Sequence, residues 1–222
     1  MNEEVLIPKM TRIGKTHKKK VKISFINLVL IFFAVLLFVC STFVNLNIRH
    51  YILPLKVFSG VNLLQEDFIY SFFLIPQIPV VLFVASALGK RLTVASVLLY
   101  LIAGLAGMPL FALGGGVKYI GQFGFGYLLA YLPAVMIACK FLRDKYSFAN
   151  MIKAAIFGVL IIHFFGIFYM VLVALFRHAG GVFIEGWIVA QSGLKIVYDI
   201  LASFVLILIG KYIHSGLCFI AK

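Results

Sequence analysis

ANMIKAAIFGVLIIHFFGIFYMVLVALF, residues Ala149 to Phe176, holds a single charged side chain, Lys153, near its start. As an α-helix this stretch reaches about 42 Å, more than the roughly 30 Å of a bilayer's hydrocarbon core. Lipid offers no water to satisfy backbone N–H and C=O groups, so an apolar run of this kind must be a helix that satisfies itself. Its surplus length lets it tilt or protrude.

Five further runs read the same way: Ser24 to Leu46, Phe68 to Leu88, Leu92 to Gly107, Gly124 to Phe141 and Leu194 to Ile213. The expected class is an all-α integral membrane protein with six transmembrane helices, a multi-pass protein of the cell membrane. Composition agrees, since 64% of the 222 residues are hydrophobic and 12% are charged, about half the share of a soluble domain. Mean hydropathy is +1.12.

The net charge of +13 is unevenly spread, with seven of the 20 Lys/Arg in residues 1–22 and most of the others at span ends. That placement fits anionic lipid head groups and topology rather than a nucleic-acid groove. The chain is read as a basic cytoplasmic tail, 1–22, and a single membrane domain, 23–222. Alternating the loops puts 15 Lys/Arg on the side of the tail, against Arg49, Lys56, Lys118 and Arg177 opposite, with Lys195 just inside the last span. By the positive-inside rule both termini are cytoplasmic. Lys18 to Lys22 ahead of an apolar run imitates a signal peptide, but Ser24 to Leu46 is too long for one. Cys40, Cys139 and Cys218 have no metal or redox spacing.

Two outer connections, Asn47 to Asp67 and the Gly- and aromatic-rich Met108 to Tyr119, are long enough to carry function, the second as a lid. Inside the spans Asp199 stands out, because a charge at mid-membrane costs roughly 2.5–3.5 kcal/mol on insertion scales. It reads either as a ligand contact or as the partner of Lys195, one turn earlier on the same helix face. With Lys195 nearer the outer face, the pair suits an elongated ligand with a hydrogen-bonding head and an anionic tail.

Gln77, between Pro76 and Pro79, offers a donor and an acceptor where helical bonding is broken, or else joins two helices. Tyr127 is a wall residue or an interfacial aromatic, and His163 reads as packed or pore-facing. Gly114-Gly115-Gly116 permits close backbone approach but lacks the ending of a phosphate loop. No His-Glu-x-x-His or Gly-x-Ser-x-Gly motif occurs, and Ser192 or Ser203 with a sequence-distant His does not make a hydrolase. No catalytic residue, metal ligand or cofactor is expected, and nucleotide-binding motifs are absent.

From the second span to the fourth the chain resembles the BioY family, the biotin-binding S components of energy-coupling factor (ECF) transporters. Gly89-Lys90-Arg91-Leu92-Thr93-Val94-Ala95-Ser96-Val97-Leu98-Leu99-Tyr100 is similar to its Gly-Pro-Arg-Leu-Gly-x-x-Ser-x-x-x-Tyr stretch. Gly104-Leu105-Ala106-Gly107-Met108-Pro109-Leu110-Phe111, with Gly114-Gly115, resembles its Gly-x-x-Gly-x-Pro-x-Phe-x-x-Gly-Gly segment. Gly126-Tyr127-Leu128 matches the start of its fourth span, Gln77 the Gln of Thr-Leu-Gln-Thr, and Asp199-Ile200-Leu201 its Asp-Leu-Ile-Lys. The Lys of that last motif is Ala202 here, and Lys195 lies two turns up the same face.

The resemblance implies a non-catalytic protein that captures biotin at the outer membrane face. A transmembrane coupling protein and ATPase subunits would drive uptake. Asp199 and Gln77 would read the polar head, Tyr127 and Phe111 wall the pocket, Gly115 bring backbone close, and Lys195 or Lys118 meet the anionic tail. Other readings of the residues are an S component for a different vitamin or small molecule, a membrane assembly subunit, or an intramembrane enzyme.

Overall fold

The computed structural model describes residues 25–51, 53, 57, 64–143 and 146–220, so the basic tail at 1–22 lies outside the described residues. Helix α1 (Phe25–Phe43) buries Ala34, Phe38, Ser41 and Thr42, a single stripe at helical spacing. Its other large side chains, among them Phe25, Phe32, Phe33 and Leu36, stay exposed, as they must on a helix whose solvent is lipid.

Where the first span was expected to continue to Leu46 and the second to begin at Phe68, the chain is extended instead. Strands β1 (Leu46–Tyr51) and β2 (Ile69–Leu74) form an antiparallel hairpin, with Leu46 opposite Leu74 and Tyr51 opposite Ile69. The β2 sequence IYSFFL is rich in aromatic and β-branched residues, which suit a pleated surface. Pro76 then biases the residue before it towards extended backbone, so the helix starts only at Gln77. Pro79 sits in the first turn, where a helix needs no amide donor. The mainly helical class therefore carries one small sheet. Of the Asn47–Asp67 connection, residues 52, 54–56 and 58–63 fall outside the described residues.

Helix α2 (Gln77–Leu105) is continuous by residue count yet reverses direction at Gly89 (φ 74°, ψ 176°). Gln77 Nε2 lies 2.9 Å from the Tyr100 hydroxyl, although 23 residues of straight helix would separate them by about 34 Å. The two arms, 77–88 and 90–105, lie against each other. The Thr93 hydroxyl sits within 3.0 Å of Val84 O and 2.8 Å of Gly89 O and ties the bend. The expected second and third spans are these arms.

Helices α3 (Phe125–Leu129) and α4 (Tyr131–Leu142) run on through Ala130, whose amide bonds to Gly126 O. Helix α5 (Phe148–Phe176) opens on Ser147, whose hydroxyl accepts from the Asn150 amide, and ends at His178 in the left-handed region. Between the fifth and sixth expected spans lies a further helix, α6 (Gly181–Ser192), broken at Gly193 from α7 (Lys195–Ile220). Phe183 and Trp187 of α6 pack against Phe123, while Val182 and Val189 are exposed. Among the described residues five segments are long and apolar enough to cross a membrane: 25–43, 77–105, 125–142, 148–176 and 181–217.

The core sits where α2 packs on α1, α4 and α7, and where α5 packs on α3, α4 and α7. Small residues dominate these contacts. Ala85, Ala134, Ala138, Ala154 and Ala155 are fully buried, and Gly158 lies under the Leu82 side chain. With lipid as apolar as leucine, close backbone approach replaces the hydrophobic effect as the packing force.

Candidate functional site

The bend at Gly89 and the connection 106–124 together create a cavity of about 300 Å³, at the lower end of the range for small-molecule sites. The connection is itself folded. Phe111 and Gly114 bridge, Gly116 N donates to Gly104 O at 2.7 Å, and a 3-10 turn spans Val117–Gly121. It supplies Ala112, Leu113, Tyr119, Gln122 and Phe123 to the cavity wall, so the expected lid is a wall.

One side of the cavity is a polar knot between α1 and the two arms of α2. Gln77 Nε2 donates to Thr42 Oγ1 at 2.8 Å and to the Tyr100 hydroxyl at 2.9 Å. Tyr100 in turn bonds Leu110 O at 3.3 Å. Both amide hydrogens of Gln77 are thus committed, and its carbonyl Oε1 has no partner among the described residues. Gln77 lines the cavity, and with its amide hydrogens committed Oε1 is the acceptor it can offer there.

The opposite side is a chain of contacts through four helices, α3, α6, α5 and α7. Tyr127 OH meets Ser192 Oγ at 2.6 Å, Ser192 Oγ meets His163 Nδ1 at 2.9 Å, and His163 Nε2 meets Asp199 Oδ2 at 3.2 Å. The Asp199 carboxyl accepts, so Nε2 carries the imidazole hydrogen. Ser192 Oγ bridges His163 Nδ1 and the Tyr127 hydroxyl, and a hydroxyl can donate or accept at either contact. The Tyr127 oxygen, with two lone pairs, can still accept from whatever enters. Asp199 Oδ1 is buried without a partner.

Among the described residues Lys195 is the only lysine or arginine on the wall, and no described Asp or Glu lines it. Its ammonium lies 3.4 Å from Gln191 Oε1. Six aromatic side chains, Tyr100, Tyr119, Phe123, Tyr127, Tyr131 and Trp187, stand around the space. Burial pushes the Tyr119 phenol up, so it remains a neutral donor at working pH.

Of the expected site residues, the structure brings Gln77, Tyr127 and Lys195 to one cavity. Asp199 stands behind it, fully buried, with His163 between it and the space. Its partner is His163 rather than Lys195, because the imidazole of α5 reaches it where Lys195 turns to Gln191. Phe111 is also a layer back, its ring edge-on to Tyr100 and pressed on Gly104. Gly115 covers the carbonyls of Met108 and Gly104, and Lys118 is exposed off the cavity.

Ser192, dismissed on sequence for want of a nearby His, touches one, and Ser192, His163 and Asp199 form a contact chain. The serine hydroxyl is spent in that chain and does not line the cavity. Thr42, Tyr131 and Gln191 escaped sequence reasoning altogether. Trp187, the single tryptophan in the chain, carried the one signal that pointed to its wall position.

These features define a multi-pass helical membrane protein with an aromatic-walled, ligand-sized cavity. The BioY family model matches residues 67–218, and the chain belongs to the BioY family. The probable biotin transporter BioY of Lysinibacillus sphaericus is 37% identical over 89 residues, 39% of this chain. That match spans 45% of the relative's length. A solved S-component for biotin from an ECF-type ABC transporter shares the fold, with a TM-score of 0.60 at 16% identity, over 85% of this chain and 90% of that one.

Proposed function

We propose that this protein is the substrate-binding S component of an ECF-type transporter and captures biotin for uptake without covalent chemistry. The observation that carries this reading is the polarity of the cavity: acceptors at Gln77 Oε1 and the Tyr127 oxygen, and one cation, Lys195. Biotin is built in the complementary sense, with two ureido N–H donors at one end and a carboxylate at the other. Aromatic walls suit its fused rings. Asp199 acts from behind, orienting His163 and through it the Tyr127 phenol, while Phe111 and Gly115 shape the wall. Lys118 stands outside the cavity as a lesser cation for the tail.

In this reading the chain crosses the membrane six times, the two arms of α2 counting separately, with both ends cytoplasmic. Residues 1–22 are a basic cytoplasmic tail and 23–222 form one membrane unit. A coupling membrane protein and ATPase subunits supply the energy, since the sequence holds no nucleotide-binding motif of its own. Family membership and the fold shared with a solved biotin S-component support the assignment.

Isothermal titration of biotin into the detergent-purified full chain tests it. Saturable one-to-one binding at or below micromolar concentration is expected. Absence of saturable heat there, from a protein that remains folded by circular dichroism, would overturn the reading.

A further inference from the structure

A second cavity, about 540 Å³, lies at the other end of the helices, around the Gly89 bend. It is bounded by the bend, the end of α4, Tyr146 just ahead of α5, and the late part of α7. Two side-chain bonds hold these pieces together. The Tyr146 hydroxyl donates to Ser86 O at 2.6 Å, and His214 Nδ1 donates to Ala87 O at 3.0 Å.

The lining is split by chemistry. Lys90, Lys140, Arg143 and His214 give it basic character, and no described Asp or Glu lines it. Lys90 and Lys140 are exposed and make no ion pair among the described residues. Ala85, Met136, Ile137 and Leu142 form an apolar side, and Met136 is 49% exposed on the outer surface of α4. Two exposed lysines on one cavity with no described carboxylate beside them call for an anion, and the adjoining exposed apolar wall calls for hydrocarbon. The chain's own basic tail, with seven Lys/Arg, is repelled by the same charges.

We propose that this cavity binds the head group of an anionic phospholipid, its phosphate between Lys90 and Lys140 and its glycerol and first acyl carbons against Met136 and Ile137. The position fits the reading of α2, α4 and α7 as membrane spans, whose ends would stand at the depth of lipid phosphates, and basic pockets between spans recognise such head groups. The site is separate from the aromatic cavity and stands whatever that cavity holds.

Native mass spectrometry of the detergent-purified full chain, titrated with dioleoyl phosphatidylglycerol or dioleoyl phosphatidylcholine, reads it out. One phosphatidylglycerol should bind in clear preference to phosphatidylcholine. The double variant Lys90→Gln/Lys140→Gln should lose roughly 30-fold in that affinity, and each single variant about fivefold. The singles keep the test decisive if the double variant does not fold. Lys211→Gln removes a charge at the same end outside the cavity and should move it less than about twofold.

Equal binding of the two lipids overturns the proposal, as does an effect of Lys211→Gln as large as that of either cavity lysine. Displacement of phosphatidylglycerol by glycerol 3-phosphate at matching concentration also overturns it, in favour of a soluble phosphate ester. No displacement supports a lipid.

Discussion

A carboxyl buried between helices needs a donor, and on sequence grounds Asp199 had one candidate partner, Lys195 on its own helix, or else a ligand. The structure gives it His163, at 3.2 Å, and leaves Lys195 to the cavity. This division has a consequence for ligand recognition. A lysine already paired with Asp199 would offer little net charge, whereas Lys195 faces the space as its only full cation apart from any charge on His163. Lys195→Ala should therefore weaken biotin binding roughly tenfold or more, the loss of one charge-assisted hydrogen bond. Lys118→Ala should leave it within about twofold, since Lys118 lies off the cavity. Titration calorimetry on both variants separates the two cations that sequence alone left equivalent.

At the scale of elements, the Gly89 bend governs the site. It folds α2 back on itself, so that Gln77 at one end meets Tyr100 near the other and Thr42 of α1 meets both. A φ of +74° with ψ near 180° is a region that essentially glycine alone occupies. No atom stands within 4 Å of a Cβ added there, so the cost of a side chain is conformational rather than steric. Gly89→Ala should destabilise the protein by about 1–3 kcal/mol and lower its melting temperature in detergent. Biotin binding should weaken with it as the Gln77–Tyr100 contact loosens; an unchanged melting temperature would count against a strained bend. The start of α2 teaches a related lesson. Hydropathy counts residues 69–76 as part of a span, yet they are a strand and a proline turn, because hydropathy records solubility in lipid and not backbone geometry.

For the whole molecule, the proposed topology puts the 106–124 connection outside and the Gly89 bend, with its lysines, inside. In a variant with its cysteines replaced by alanine, Val117→Cys should react with a membrane-impermeant maleimide on intact cells. Lys140→Cys should react only after the cells are opened. Both side chains are exposed, so reactivity reports sidedness rather than burial. The reverse pattern would invert the orientation and move the substrate cavity to the cytoplasmic side.

The sequence by itself determined the solvent of this protein and most of its helix bounds. Ala149 to Phe176 was expected and Phe148–Phe176 is found, because an apolar run in lipid has no alternative to intramolecular backbone bonding. The motif residues from Gln77 to Tyr127 also carried the family. Only the tertiary structure decided which polar groups share a wall. Gln77 with Thr42 and Tyr100, Ser192 with His163, and Asp199 with His163 rather than Lys195 are contacts between residues 23 to 36 positions apart. No periodicity links such pairs. They meet because a glycine reverses one helix and small residues let the others approach until these polar side chains come within hydrogen-bond reach.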